Sequence, residues 1–309
     1  MADSSIMPRY PVYILSKGRY QIERAFTARQ FVKDKVPFTI AVETPEVEVY
    51  QALCKALGVP TSWVADIGFS NLGQGCSSVR NWISDHAKAN GFEREWQFDD
   101  NDYGFYRVYK GKRVPCRGGL AMRVCEDFTD RYENVGLSGL NYDMFGVRNK
   151  NPFNVNCHVY SATLHNTAMP FRWRGPYNED TDMCLQVLSG GWCTITLNSF
   201  LVKKKAAFKK AGVRNIQGGM SSVYEGDGRL KMARQLERQW PYVVETGRRF
   251  QRPQHIVKDS WKRFDTPLRR KPDVDLAALP AVDEYGMRLD RVAEPRSPRI
   301  RALAEGYGE

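Results

Sequence analysis

Residues 11–42 read PVYILSKGRYQIERAFTARQFVKDKVPFTIAV. A short apolar run, Pro11–Leu15, stops at the turn Ser16-Lys17-Gly18-Arg19. Ile22, Ala25, Phe26 and Val32 follow at helical spacing, and Phe38–Val42 is a second apolar run. Strand, helix, strand is the unit of a parallel sheet, and it recurs downstream. Thr44-Pro45 supplies a capping hydroxyl and a proline for a first helical position. Tyr50, Leu53, Cys54 and Leu57 then mark one helix face, and Gly58 ends it. Ser62–Ile67 reads as a third strand. Val79, Trp82, Ile83 and His86 mark a third helix, closed by Asn90-Gly91, and Glu95–Phe98 is a fourth strand. The expectation is an α/β protein with a mainly parallel mixed sheet flanked by helices.

Beyond the fourth strand, Tyr106–Val114 and Leu120–Cys125 read as strands joined in a hairpin across Cys116-Arg117-Gly118-Gly119. Cys157–Leu164 reads as a further strand. Asp180–Leu188 has a helical pattern ending at Gly190-Gly191, and Cys193–Leu197 returns to strand character. Leu230–Trp240 is a helix stopped by Pro241. From about Lys271 large apolar residues become sparse, so 272–309 is expected to be an extended tail. No internal repeat is present.

Hydrophobic residues form 42% of the 309, enough for a sizeable core, and no apolar run reaches membrane-spanning length. The first ten residues, MADSSIMPRY, lack the apolar segment of a secretory signal. Seven cysteines, an odd number without a Cys-x-x-Cys pair, read as reduced thiols of a cytoplasmic protein. The spacing of Cys157, His158 and His165 fits no zinc template. The net charge of +11 is regional. Residues 1–199 carry 22 basic and 21 acidic side chains, residues 200–271 carry 19 and 6, and residues 272–309 carry 5 and 8. A surplus so confined points to a polyphosphate partner, because each neutralised phosphate releases a counterion.

Two sites combine acidic residues with a sheet-end position, where ligands of open α/β sheets bind. The fourth strand runs straight into Asp99, Asp100, Asn101 and Asp102. Carboxylates so close repel one another unless they are solvated or share a cation. Asp100 and Asp102, two apart in an extended segment, would project to one side and offer oxygens to a hard ion. A polar turn is the alternative, since Asp and Asn favour turns. The second site, Asn178-Glu179-Asp180-Thr181-Asp182, opens a helix. There the acids either serve the helix dipole or place a general base at the mouth of the sheet. No GxxxxGKS/T is present, and Gly73-Gln74-Gly75-Cys76-Ser77-Ser78 lacks the third glycine of a dinucleotide loop.

In order, PVYILSKGR, the helix with Ser78-Val79-Arg80-Asn81, WQFDDND and YNEDTDMCLQVLSGG resemble GT-A glycosyltransferases. More closely, the chain resembles the phage TET/JBP-associated glycosyltransferases, a family implicated in glycosylating hydroxymethylated cytosine in DNA. The resemblance spans roughly residues 10–260. It implies a GT-A-like, Rossmann-like catalytic domain over residues 1–271, with a donor and metal core in 1–199 and a basic DNA-binding region in 200–271. It implies that Asp100 and Asp102 form the DxD motif that holds Mn²⁺ or Mg²⁺ and the diphosphate of a UDP-sugar, with Asp99 in support. Ser16, Lys17, Gly18 and Arg19 would line the nucleotide end of the site, with Glu43 nearby. Arg80 and Asn81 would lie near the donor, and Asp180 would be the base with Glu179 beside it. His255, the only histidine after His165, is the candidate for a further metal ligand.

The acceptor side is read from residue type. Tyr142, Phe145, Phe171, Trp173 and Tyr177 lie between the acidic motifs and could stack on a flipped base. Lys203-Lys204-Lys205, Lys209-Lys210, Arg248-Arg249, Arg252, Lys262-Arg263 and Arg269-Arg270-Lys271 would track phosphates, interleaved with Trp240, Tyr242, Phe250, Trp261 and Phe264. No membrane contact or obligate protein partner is indicated, and the expected location is the cytoplasm, the host's if the chain is phage-encoded. Three competing readings stay open: a metal-dependent nuclease or nucleotidyltransferase, a non-catalytic DNA-binding module, and a glycosyltransferase with a protein or glycan acceptor.

Overall fold

The computed structural model describes residues 6–70, 75–205, 228–249 and 251–275. The expected alternation forms the first half. Strand β1 (Val12–Leu15) is followed by helix α1 (Phe26–Asp34), β2 (Thr39–Val42), α2 (Val47–Leu57), β3 (Val64–Asp66), α3 (Ser77–Ala89) and β4 (Arg94–Asp99). Strands β3, β2, β1 and β4 lie side by side in that order, all parallel. The caps behave as their sequence requires. Gly58 takes a left-handed φ of 71° and Gly91 one of 78°, a region that only glycine enters without penalty. Thr44 behaves differently, since its hydroxyl donates to Asp66 at 2.7 Å instead of capping α2.

The second half completes a ten-stranded mixed sheet. It comprises β5 (Asp102–Tyr109), β6 (Lys112–Cys116), α4 (Gly118–Thr129), β7 (Val135–Tyr142), the short α5 (Asp143–Gly146), β8 (Phe153–Val155), β9 (Thr163–Asn166), α6 (Glu179–Ser189) and β10 (Cys193–Lys204). From β4 the order continues β9, β7, β10, β5, β6, with β8 also on β10. Strand β10 is parallel to β7 and antiparallel to β5 and β8. A last unit, α7 (Gly228–Gln239) and the hairpin of β11 (Val244–Arg249) and β12 (Arg252–Val257), packs Leu236 and Val244 against Leu185 of α6.

Side-chain alternation separates two helical layers. Val12 and Ile14 face α1, α2 and α4, while Tyr13 and Leu15 face α3 through Val79, Ile83 and Ala87. Phe31 of α1 anchors the first layer. Its ring meets Phe98 edge-on at 5.1 Å and stacks on Phe105 at 6.0 Å, tying α1 to β4 and β5. On the other face Leu137 packs with Met183, Cys184 and Val187 of α6. All seven cysteines are free thiols.

Three sequence expectations need correction. Leu120–Cys125 is helical, part of α4, with Leu120, Ala121, Met122 and Cys125 buried against the sheet. The hairpin turns at Lys110-Gly111, where both residues have positive φ, and not at Cys116–Gly119. Of the expected strand at 157–164 only Thr163 and Leu164 pair, in β9, which runs on to Asn166. Strand β7 carries two glycines that weaken its strand signature, yet it is central and fully buried over its first seven residues. A Cβ on Gly139 would lie 2.2 Å from the carbonyl oxygen of Ala162. The first tail residues fold back on Lys271: Val274 donates its backbone N–H to the Lys271 carbonyl at 3.1 Å, and Lys271 donates its own to the Arg131 carbonyl at 2.9 Å. Residues 276–309 lie outside the described residues.

Gly139→Ala should therefore destabilise the protein by about 2 kcal/mol or more, measured by urea unfolding, because the clash is with backbone. A pH effect follows from Glu126, which is buried and accepts hydrogen bonds from the Arg9 N–H and the Trp96 indole, both at 2.8 Å. Burial, outweighing these donors, pushes its carboxyl up to about 7. The folded state thus holds a proton that the unfolded chain releases near the ordinary glutamate value. Stability contributed by this group should fall as pH rises from about 4.5 to 7 and level off above that. Unfolding at a series of pH values should show the slope, and Glu126→Gln should flatten it.

Candidate functional site

The site forms where β1, β2 and β4 end. The register pairs Leu15 with Asp99, so the turn after β1 lies beside the acidic cluster. Ser16 donates to Asp100 Oδ2 at 2.8 Å and pairs with the Tyr50 hydroxyl at 2.6 Å. Arg19 forms an ion pair with the same carboxylate. Gly18, at φ 66°, donates its N–H to Glu46 at 3.0 Å, and Lys17 bonds Glu43 at 2.6 Å. Glu43 also accepts from Ser70 at 3.0 Å. The turn is therefore shaped by two acids from the end of β2 and the following 3₁₀ turn, and Arg19 is the cation it turns toward Asp100.

Asp99 sits between two cations. Arg80, 2% exposed, reaches its Oδ1 at 2.8 Å, and Lys204, at the end of β10, pairs with Oδ2. Burial alone would raise the Asp99 carboxyl, but Lys204 and Arg80 hold it below the usual carboxylate range. Arg80 also stacks over Trp173 at 4.9 Å and lies 3.6 Å from Glu179. Asn81 follows Arg80 on α3. Its amide brackets the Trp173 backbone, donating at 2.7 Å and accepting at 2.9 Å, which makes it a structural clamp.

Beside Arg80, α6 begins with Glu179 and Asp180. Glu179 accepts from the Cys76 thiol at 3.0 Å, and burial together with the Asp180 charge raises its carboxyl. Asp180 keeps 36% of its side chain exposed. Its Oδ2 lies 3.3 Å from His158 Nε2, and its Oδ1 accepts the Thr181 N–H at 2.7 Å. Burial opposes its ionisation, but His158, the Thr181 N–H and His255 hold it well below the usual range. The Thr181 hydroxyl lies 3.3 Å from Nε2 of both His158 and His255. Asp182 is structural: it is buried and bonded to Arg174 at 2.9 Å and to the Trp240 indole at 2.7 Å.

The expected metal ligands do not converge. Asp100 is taken by Ser16 and Arg19. Asp102 is fully buried, with both oxygens accepting from Ser161 at 3.1 and 3.2 Å, and burial pushes its carboxyl up to about 7. The turn at Asp100-Asn101 separates the two carboxylates, because Asp102 already belongs to the next strand. His255, on β12, lies instead 3.3 Å from the Thr181 hydroxyl, near Asp180 and His158. Among the described residues no three His, Cys, Asp or Glu side chains are arranged to hold a metal ion. The residues present do not fit the ligand set Asp100, Asp102 and His255.

Several site residues carried no clear sequence signal. His158 and His255 are two of only four histidines, and scarcity was the one hint. The sequence offers Lys203, Lys204 and Lys205 together as phosphate contacts. Strand alternation turns Lys204 inward, while Lys203 and Lys205 lie over the rings of Tyr103 and Phe26 at 5.3 and 5.7 Å. Of the expected interleaved aromatics, Trp240, Trp261 and Phe264 pack around Leu185, Leu236 and Val244, and Tyr242 is 84% exposed. Phe250, Lys209 and Lys210 lie outside the described residues. Arg248, Arg249, Lys262, Arg263, Arg269 and Arg270 are exposed.

No curated protein matches the sequence. A solved structure of "mannose-1-phosphate geranyltransferase" from Thermus thermophilus aligns with a TM-score of 0.29 and 10% identity. The alignment covers 62% of this chain and 58% of that one, so the chain spans well under two thirds of its length. The family model described as TET-Associated Glycosyltransferase matches residues 10–213, from the start of the first strand past the inward-facing Lys204. That span takes in the Ser16–Arg19 turn, Arg80, the acidic cluster, the His158–Asp180 pair and Lys204, and the chain belongs to the TET-associated glycosyltransferase family.

Proposed function

We propose that this glycosyltransferase moves a sugar from a UDP-sugar to the hydroxymethyl group of 5-hydroxymethylcytosine in DNA. One observation carries the reading: Arg19, Arg80 and Lys204 gather at the carboxyl ends of β1 and β4, while Asp180 pairs with His158 at the start of α6. A nucleoside diphosphate needs cations at such a strand end. An acceptor hydroxyl needs a base within reach. The surplus of basic residues in 200–271 supports DNA as the acceptor. The exposed Arg248, Arg249, Lys262 and Arg263 lie on or beside the hairpin that carries His255. No helix among the described residues is long and apolar enough to cross a membrane. A cytoplasmic location fits a DNA acceptor and unpaired cysteines.

In this reading the Ser16–Arg19 turn holds the nucleotide end, and Lys204 and Arg19 face the diphosphate as charge builds on its leaving oxygen. The acceptor oxygen attacks the anomeric carbon, the bond to the diphosphate breaks, and the hydroxyl proton passes to Asp180. His158 orients that carboxylate through its Nε2. Mn²⁺ or Mg²⁺ would act as a Lewis acid at the diphosphate in the family's pattern, but with Asp100 and Asp102 facing separate partners no step is assigned to a metal. The nuclease alternative weakens for the same reason, because it needs several carboxylates that share a cation.

The test is mass spectrometry of nucleosides after incubating hydroxymethylcytosine DNA with a panel of nucleotide sugars; unchanged nucleosides throughout would overturn the reading. In that assay Asp180→Asn should lose transfer by at least about a hundredfold while binding donor normally by calorimetry. Near-normal turnover would remove Asp180 as the base. Lys204→Met should weaken donor binding roughly tenfold or more, and Lys204→Arg should restore part of it. Asp102→Asn should keep donor binding, with and without Mn²⁺. Loss of a manganese-dependent component in that variant would show that Asp102 turns to a cation after all.

A further inference from the structure

One part of the cleft has no role in donor binding or proton transfer. Tyr142, at the end of β7, Phe145, on α5, and Tyr160 form a continuous wall of three rings. The centroids are 4.6 Å apart for Tyr142–Tyr160, 5.7 Å for Phe145–Tyr160 and 6.2 Å for Tyr142–Phe145. The planes are tilted by 31°, 34° and 42°, so the rings pack against one another and support the exposed Phe145. The wall bridges the two working ends of the site. At one end the Tyr142 hydroxyl accepts from Lys204 Nζ at 3.1 Å. At the other, Tyr160 meets the His158 ring edge-on at 4.5 Å, and His158 holds Asp180.

Phe145 is 51% exposed although the helix that carries it is firmly seated. Asp143 is buried and paired with Arg113 at 2.5 Å. A Cβ on Gly146 would lie 2.1 Å from Leu201 Cδ2, so α5 is pressed directly onto β10. A large apolar ring held out of the core by a fixed element is a surface built for contact. Its neighbourhood suits a polyanion: Lys204 lies over the Tyr142 ring at 5.5 Å, and Arg148 and Lys150 are exposed on the loop that follows α5. Stacked aromatics beside cations are how proteins hold an unpaired base, since every base has a π face.

We propose that Tyr142, Phe145 and Tyr160 are the acceptor subsite, which takes a cytosine base turned out of the DNA stack and presents its hydroxymethyl group to Asp180. This rests on the DNA reading above. The ring wall supplies the stacking energy that offsets extrusion of the base. Arg148 and Lys150, exposed beside it, hold the flanking phosphates.

The experiment uses the full chain and a short duplex bearing one 5-hydroxymethylcytosine, with 2-aminopurine as its neighbour. The wild type should bind the duplex with a rise in aminopurine emission as the adjacent base leaves the stack. Phe145→Ala should weaken duplex binding roughly tenfold and lose that rise. UDP-sugar binding and the melting temperature should be unchanged, because the ring is half in solvent. Phe145→Tyr, which keeps a ring, should retain both affinity and signal. Unaltered duplex binding by Phe145→Ala, with the wild type binding normally, would overturn the subsite and leave the DNA reading standing. Equal loss of UDP-sugar binding would assign the wall to the donor's sugar instead. A wild type that binds no duplex would overturn both readings.

Discussion

The Asp99 carboxylate, held between Arg80 and Lys204, is the contact on which the site depends. It joins the end of a parallel strand to a helix of one layer and to the last residue of a strand from the far half of the sheet. Each of these charges would be costly alone in a desolvated setting, and each is tolerable because the others are present. Removing Asp99 would leave Arg80 and Lys204 facing each other without the carboxylate between them, so the three elements are held in one arrangement. That arrangement also keeps cations at the strand ends before any ligand arrives, and a diphosphate entering there would compete with carboxylates for donors already in place.

Around that contact the acidic cluster divides its labour. Asp100 shapes the turn after β1 through Ser16 and Arg19, Asp99 holds the cations, and Asp102 is sealed inside against Ser161. The division arises because the chain turns at Asp100-Asn101 and re-enters the sheet at once. Thr27 stitches the turn, donating its hydroxyl to the Asp99 carbonyl at 2.6 Å and accepting the Asp102 N–H at 2.9 Å. Three neighbouring carboxylates thus face three different environments, although the Asp99 charge still raises the other two.

The base side is assembled from distant chain segments. Asp180 comes with α6, His158 from the segment before β9, and His255 from a hairpin that packs on α6 through Val244 and Leu236. The C-terminal basic region is therefore more than a loose arm. Much of its aromatic content is core for that hairpin, and its exposed arginines ride on a folded support.

How much was legible follows from the range of each signal. The strands Val12–Leu15, Thr39–Val42 and Arg94–Asp99, the helix stops at Gly58 and Gly91, and the acidic start of α6 are local features, and local propensity and periodicity determine them. So does the strand-end location of Ser16–Arg19 and Asp99–Asp102. Leu120–Cys125 misled because a short apolar run reads equally as strand or helix, and only packing against the sheet decides. Strand β7 hid behind glycines that are there because Ala162 approaches too closely for a side chain. Tertiary structure alone decided that Lys204 points inward while its neighbours do not, that Asp100 and Asp102 part company, and that His255 meets Thr181 beside Asp180. Each of these depends on which face of a strand looks into the cleft and on contacts spanning tens of residues, and residue type and spacing do not encode either.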